Sequence, residues 1–239
     1  MSQKVKSEET HLQETRRKIL AAAVHHVPFD GWSKACFDAA ISDSGVSADM
    51  GRLAFPRGPV DLALAFHKQG DVLMEEHVPS VGLENLRYSQ KVAALVRLRL
   101  EVMPDREVVR RGVVLFALPA HASDGASAIW QTCDLIWNTL GDTSDDINWY
   151  SKRTILSAVY SSTLLFWLGD ESAGQQDSWE FLDRRIENVM QFEKFKAGIR
   201  SNPFAKFVER SAAPFLDRIH APDNRSNVDL PGHVSPNQS

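Results

Sequence analysis

One segment that is apolar on nearly every side constrains the fold of this chain more than any other feature. Residues 154–168, TILSAVYSSTLLFWL, have helical character and carry no charged side chain. A helix without a polar face must be surrounded by other helices or line a space that holds an apolar ligand. At about 15 residues the segment is shorter than the ~20 that span a bilayer. A filled core and a lined cavity both satisfy this pattern.

The rest of the chain shows helical periodicity and no sustained strand-like alternation. We therefore predict an all-α protein of about ten helices. The stretch WSKACFDAAISDSGVSADMGRLAFP, residues 32–56, predicts a helix-turn-helix with its turn at Ser44 and Gly45. The predicted organisation is a disordered N-terminus at 1–10, a helix-turn-helix-like domain at 11–77, a larger helical ligand-binding domain at 78–200, an amphipathic helix at 201–220 and a disordered tail at 221–239.

The charge distribution argues against DNA as a partner. The net charge is −4, and residues 1–75 carry about nine Lys and Arg against about ten acids. The second short helix offers one basic residue, Arg52, beside Asp49. We predict a TetR-type scaffold that has lost DNA binding, with no nucleic-acid partner. The alternative is a TetR-type, lipid-responsive transcriptional regulator.

No constellation of catalytic residues is recognisable. The eight histidines are scattered, and the sequence has no His-Glu-x-x-His, no Glu-x-x-His pair and no phosphate-binding glycine loop. Cys36 and Cys133 are predicted to be reduced structural thiols. We therefore predict neither catalysis nor a metal or cofactor. The first residues, MSQKVKSEETHLQE, lack a hydrophobic run, so we expect a cytoplasm-like compartment.

Two groups of apolar residues are candidates for binding. Trp149 and Tyr150, which precede the apolar segment, fit a buried hydrophobic staple and an exposed interface hot spot about equally well. If the core is hollow, the side chains that line it are predicted to be Val92, Leu95, Val96, Phe116, Trp130, Trp137, Leu156, Tyr160, Leu164 and Trp167.

The C-terminal region differs in charge from the body. Residues 191–220 carry about six Lys and Arg against three acids, whereas the preceding residues carry about 20 against 26. Aromatic and basic side chains alternate there in an amphipathic pattern. Phe204, Lys206, Phe207, Arg210 and Phe215 belong to this pattern.

The runs INWYSKRTILSAVYSSTLLFWLGD and DSWEFLDRRIENVM resemble the ubiquinone-biosynthesis accessory protein family usually called Coq nine. HHVPFDGW, RLAFPRGPVDLALAFH and DREVVRRGVVLFALP are similar to bacterial members, and the resemblance covers about residues 17–222. It implies a TetR-like fold without DNA binding and a second domain that binds lipids, including isoprenoid quinone intermediates. It also implies homodimers through that domain and docking to the demethoxyubiquinone hydroxylase, a separate di-iron enzyme.

Transferred to this sequence, the resemblance makes Asn148, Trp149 and Tyr150 the centre of the partner-docking surface. It makes residues 203–219 an amphipathic helix that associates with a membrane through Phe204, Phe207 and Phe215, with help from Lys206 and Arg210. The expected function is that of a non-enzymatic protein that binds isoprenoid quinone intermediates or phospholipid and presents substrate to the hydroxylase. The expected location is peripheral, on the inner face of the cell membrane, or on the matrix side of the inner membrane if the protein is mitochondrial.

Overall fold

In the computed structural model, residues 2–144 and 147–200 are described, and they form nine α-helices without a strand. The predicted all-α class is confirmed. The helices are α1 (Ser2–Asp30), α2 (Lys34–Asp43), α3 (Ala48–Ala54), α4 (Pro59–His77), α5 (Tyr88–Glu101), α6 (Arg106–Phe116), α7 (Ala122–Thr139), α8 (Ile147–Gly169) and α9 (Gln176–Arg200). The residues predicted for membrane association and the predicted disordered tail lie outside the described residues.

The predicted helix-turn-helix consists of α2 and α3. Ser33 caps α2 by accepting a hydrogen bond from the Cys36 amide, and Ser47 caps α3 in the same way. Gly45 connects them with a φ of 67°, which only glycine adopts readily. Arg52, the basic residue of α3, is paired with Asp49 at 2.9 Å on the surface. This ion pair reduces the positive charge that α3 can offer to phosphates.

Helix α1 is longer than the sequence analysis predicted. It begins at Ser2, so residues 2–10 are helical where disorder was expected. The segment SQKVKSEETHLQE contains no Gly or Pro and is rich in good helix formers, which outweighs its polarity. The helix also includes Pro28 in its last turn and ends before Gly31, whose amide donates to the Val27 carbonyl at 2.8 Å.

Helix α8 starts earlier than expected and is less enclosed. It begins at Ile147, so Trp149 and Tyr150 belong to its first turns rather than to a preceding loop. One side is buried, including Leu156, Tyr160 and Trp167. The opposite side is exposed at Thr154, Ala158, Leu165 and Phe166.

Arginines of α6 hold the C-terminal end of α8. Arg106 donates to the carbonyls of Trp167 and Asp170, and Arg110 donates to that of Leu168 at 2.6 Å. These bonds satisfy carbonyls that have no partner within the helix, and the positive charges match the negative end of its dipole. The N-terminal part of α6 is thereby fixed to the end of α8.

Both cysteines are free and buried, as expected for structural thiols. Burial raises the pKa of Cys36 to about 11 and that of Cys133 to about 12, which keeps both thiols protonated. Among the described helices, none has the length and apolarity to cross a membrane.

Candidate functional site

A cavity of about 670 Å³ lies in the second half of the molecule, bounded by residues of α4, α5, α6, α7 and α8. Its volume falls within the range of about 300–1,000 Å³ that is typical of small-molecule sites. Its wall is predominantly apolar. The side chains that line it include Ala63, Phe66, Leu100, Met103, Val109, Val113, Phe116, Ala128, Ile129, Trp130, Leu164 and Leu165.

The exposure of the lining residues shows which end of the cavity opens to solvent, called its mouth, and which end is closed, called its floor. Ala117, Ala122, Ala126, Thr154 and Leu165 line the cavity and are exposed, so they mark where it opens to solvent between α6, α7 and α8. The lining residues from α4 and α5 are mostly buried, and they form the opposite end. Leu165 at the mouth is 60% exposed, and Val114 and Leu118 of the α6 region add further exposed apolar surface.

The floor contains a buried ion pair. Nε of Arg99 donates to Oδ1 of Asp71 at 2.9 Å, and the two side chains are 2% and 1% exposed. Arg99 also donates to the His67 carbonyl at 2.7 Å and contacts Sδ of Met103 at 3.0 Å. Arg99 and His67 line the cavity. A charged group is thus held at the base of an otherwise apolar space.

Gly70 makes room for Arg99. A Cβ added at Gly70 would lie 2.6 Å from Cζ of Arg99 and 2.5 Å from Sδ of Met103. Only glycine therefore allows the guanidinium to lie this close to the backbone of α4.

His67 is held in its neutral form at this floor. Burial is the main cause that lowers its pKa to about 4, and the positive charge of Arg99 adds to the effect. The single hydroxyl hydrogen of Thr132 is directed to Oδ1 of Asp71 at 2.7 Å. Oγ1 of Thr132 also lies 2.8 Å from Nε2 of His67, so the two side chains are hydrogen-bonded at the floor.

The cavity includes some of the ten side chains predicted to line a hollow core and leaves out others. Phe116, Trp130, Tyr160 and Leu164 line it. The remaining six are not among its lining residues and are buried in the hydrophobic core, where they fill space between helices: Val92, Leu95, Val96, Trp137, Leu156 and Trp167.

An aromatic cluster, defined as Trp130, Trp149 and Tyr150, joins the cavity to the surface. The rings of Trp149 and Tyr150 meet edge to face with centroids 4.7 Å apart. Trp130 lies 5.9 Å from Trp149 and 6.4 Å from Tyr150, and it also lines the cavity. Trp149 and Tyr150 are half-buried, and Asn148 beside them is exposed. The Trp130 side chain therefore lies between the cavity and the residues predicted to dock a partner.

Arg153 contacts the aromatic cluster and fixes its position. Its guanidinium lies over the Trp149 ring at 3.9 Å and its side chain is 1% exposed. It donates to Asp134 at 2.5 Å and to Asp142 at 3.2 Å, and it also bonds the Trp149 carbonyl. The pKa of Asp142 is lowered by hydrogen bonds from Lys152, Ser144 and Arg153, against an opposing effect of burial. These contacts fix the start of α8 against α7.

A second, more polar cavity of about 500 Å³ lies on the other side of His67. Its lining includes Arg16, Asp61, Lys68, Asp71 and Asp124. Most of these charges are already paired, since Arg57 bonds both Asp61 and Asp124, and Lys68 lies 3.7 Å from Asp71. Within the described residues, no group of three or more His, Cys, Asp or Glu side chains is placed to hold a metal.

The sequence analysis missed Arg99, His67, Asp71 and Arg153. A signal for two of them was present, because Arg99 continues the apolar stripe of Val92, Leu95 and Val96 in α5. Arg153 stands at the start of the stripe of Leu156, Tyr160 and Trp167 in α8. A charged residue at a helical position that faces the core must be paired or line a polar site.

Comparison with known proteins finds relatives that are similar to this part of the chain. The family model described as COQ9 matches residues 122–193, which include the aromatic cluster and much of the cavity wall. The chain is 32% identical over 189 residues to the mitochondrial ubiquinone biosynthesis protein COQ9 of Xenopus tropicalis, covering 74% of this chain and 58% of that protein. The human protein of the same name is 28% identical over 186 residues, with the same shares.

A probable ubiquinone biosynthesis protein coq9 of Dictyostelium discoideum is 27% identical over 210 residues, or 82% of this chain and 68% of that protein. The chain spans about 58% of the length of the two vertebrate relatives. Among solved structures, a TetR transcriptional regulator from Nitrosomonas europaea superposes with a TM-score of 0.60 at 21% identity, covering 74% of this chain and 98% of that one. The TetR-like fold is thereby confirmed.

Proposed function

Because the chain is similar to COQ9 proteins over 74% of its length, we propose that it is a COQ9-family protein, a non-enzymatic accessory protein of ubiquinone biosynthesis that binds an isoprenoid quinone intermediate and presents it to the demethoxyubiquinone hydroxylase. The observation that supports the proposal is the apolar cavity of about 670 Å³, which is lined by Trp130 of the aromatic cluster. A ligand held there lies beside the surface that a partner enzyme would contact.

The chemistry of the cavity supports an apolar guest. Its wall consists mainly of aliphatic and aromatic side chains, and Leu165 at its mouth is exposed. Transfer of a polyprenyl chain from water to such a wall is favourable by roughly 25 cal/mol for each Å² of apolar surface that is buried. A tail too long for the cavity extends across the apolar mouth.

The aromatic cluster supports the docking role. Trp149 and Tyr150 are partly accessible, rigidly packed and surrounded by charged groups, which is typical of an interface hot spot. Arg153 and its two carboxylate partners hold these rings in place before any partner arrives. Preorganisation of this kind reduces the ordering cost of association.

Two further parts of the proposal concern assembly. The stacked rings of Phe166 and Phe181, with centroids 4.6 Å apart, offer apolar surface on α8 and α9 for a second copy of the chain. Phe166 is 40% exposed. The proposal also assigns membrane association to the segment around residues 203–219, so that the protein is peripheral to the membrane.

The first test is extraction of the purified, detergent-free protein with organic solvent, followed by mass spectrometry of the extract. Recovery of about one isoprenoid quinone or phospholipid per chain is the expected result. A protein that yields no lipid and also fails to take up a short-chain prenylated quinone in solution contradicts the proposed lipid binding.

The docking surface is tested by Trp149→Lys. We expect this change to reduce co-purification of the hydroxylase by more than tenfold, because it removes a central aromatic anchor. Phe29→Lys is the matched control, since Phe29 is an aromatic residue 85% exposed on α1, away from the cluster. Circular dichroism and bound lipid check that Trp149→Lys remains folded. Undiminished co-purification from a folded variant would show that the partner docks elsewhere.

A further inference from the structure

The floor of the cavity, apart from its apolar wall, has features of a binding site for a polar group. Tyr160 lines the cavity and is 2% exposed, yet its hydroxyl makes no hydrogen bond to any described residue. This hydroxyl is not one of the fully buried side-chain atoms that lack a partner, so it is accessible from the cavity. Because polar groups inside proteins are nearly always satisfied by protein, water or a ligand, a guest that fills the cavity has to offer this hydroxyl a partner.

Arg99 offers further donors at the same floor. A guanidinium carries five N–H groups, and its contacts with Asp71, Met103 and the His67 carbonyl use three of them. Two N–H groups thus remain without a partner in the described part of the chain. Tyr160 lies close enough to Arg99 and Asp71 for their charges to influence its ionisation.

The protonation states at the floor are defined. Burial raises the pKa of Tyr160, so its hydroxyl stays protonated and is a donor at neutral pH. Burial lowers the pKa of His67 to about 4, so its ring is neutral. The charge of Arg99 is balanced by Asp71 at 2.9 Å. An anionic ligand here would add an uncompensated charge in a poorly hydrated space, which is unfavourable.

We propose that Tyr160 and Arg99 form a subsite for the oxygen of an uncharged ring, a quinone carbonyl or a phenol hydroxyl, with the apolar tail directed to the mouth. This inference rests on the proposed function, and it adds the ligand's orientation and the preference for a neutral headgroup over a carboxylate or phosphate. A ring oxygen accepts from the Tyr160 hydroxyl and the free N–H groups of Arg99. Phe66 and Leu100 supply apolar contacts at the same end.

The orientation follows from the distribution of polar groups along the cavity. Among the exposed residues that line the mouth, only Thr154 carries a side-chain donor, and its hydroxyl is exposed to solvent. A tail-first orientation would leave the Tyr160 hydroxyl and the Arg99 donors buried against hydrocarbon, at a free-energy cost. The opposite orientation satisfies them and places hydrocarbon against hydrocarbon.

The test uses three probes on the purified, delipidated full chain, with affinities measured by calorimetry. The probes are a benzoquinone with two isoprene units, an isoprenoid hydrocarbon of matching length and a fatty-acid anion of similar length. We expect the quinone to bind at least fivefold more tightly than either of the others. Tyr160→Phe should weaken quinone binding by about fivefold and leave hydrocarbon binding unchanged, as expected for one lost hydrogen bond.

The matched control is Tyr88→Phe, the same change at a tyrosine that is 49% exposed and does not line the cavity, and it should leave all three affinities unchanged. Equal affinity for quinone and hydrocarbon, tighter binding of the anion, or full quinone affinity in Tyr160→Phe would overturn the headgroup subsite. In each of those cases the proposed lipid binding still stands. Failure of all three probes to bind the wild-type protein overturns both proposals. The comparison of probes on the wild type does not depend on the folding of any variant.

Discussion

Arg99 beneath the cavity and Arg153 beneath the aromatic cluster are both almost completely buried, and each is paired with a carboxylate. Both guanidiniums bond protein groups through all three nitrogens, but Arg153 makes four such bonds against three from Arg99, and the Trp149 ring covers one face of Arg153. Arg99 keeps two N–H groups free of described partners and lines an open space. The difference indicates that Arg153 positions neighbouring side chains, whereas Arg99 is also available to a ligand.

The strongest test of this comparison is Arg153→Met. The variant leaves Asp134 and the nearly buried Asp142 without their cation, and breaking a buried pair in this way costs about 3–5 kcal/mol. We expect urea unfolding to show a loss of that size, with a weakened near-ultraviolet dichroism signal from Trp149 and Tyr150. Arg52→Met removes an exposed pair and should cost about 0.5 kcal/mol or less. A loss below 1 kcal/mol for Arg153→Met would show that it does not support the cluster.

A smaller effect is expected from Gly70→Ala, which acts on Arg99. The added Cβ would approach Cζ of Arg99 to 2.6 Å, and either the guanidinium or α4 has to move. Overpacking of this kind costs about 1–3 kcal/mol. Quinone affinity should also fall, which distinguishes this variant from one that only reduces stability.

Gly112→Ala on α6 provides the control for Gly70→Ala. Its new Cβ would have a nearest neighbour 3.6 Å away, an ordinary contact, and alanine is the better helix former by about 1 kcal/mol. We expect it to leave stability unchanged or slightly raised. If both glycine variants unfold at the same urea concentration, the close packing of Arg99 against Gly70 is not important for stability.

The smallest effect concerns pH. The folded protein holds the pKa of His67 at about 4, below its ordinary 6.5, so the unfolded chain takes up a proton that the folded chain excludes. The stability contributed by neutral His67 is complete above pH 6.5 and decreases as the pH falls towards 4. At pH 5 the expected loss is about 1–2 kcal/mol relative to pH 7.

Other carboxylates also titrate in that range, so the relevant quantity is a difference between variants. His67→Gln keeps an N–H for Thr132 but has no ionisable ring. We expect the urea midpoint of the wild type to fall more steeply between pH 7 and pH 5 than that of His67→Gln. Parallel pH profiles would place the pKa of His67 near its ordinary value in the folded protein.

The sequence predicted the helices well because their apolar stripes follow the helical period. It placed the helix-turn-helix at its observed position, since Ser33, Gly45 and Ser47 each have a local role at a cap or turn. It missed the helical state of residues 2–10 and the early start of α8. At those helix ends the polar composition resembles that of a loop, and the residue at which the helix begins depends on the overall structure.

Of the residues predicted to bind a lipid, Phe116, Trp130, Tyr160 and Leu164 line the cavity, whereas Val92 and its predicted neighbours fill the core. Lipid binding by the first group stays a prediction. An apolar residue on a buried helical face has the same sequence signature in both situations. The distinction depends on the distance between helices, and that distance is set by contacts such as Gly125 against Phe116, which pattern alone does not reveal.

The bonds from Arg106 and Arg110 to the end of α8 have a consequence for how the cavity accommodates its contents. They join two of its walls at one end, near Leu168 and Asp170, while Phe116 and Ala117 at the other end of α6 border the open mouth. We therefore expect a bulky guest to separate α6 and α8 near Phe116 and Ala117 before it disturbs the end that the arginines hold.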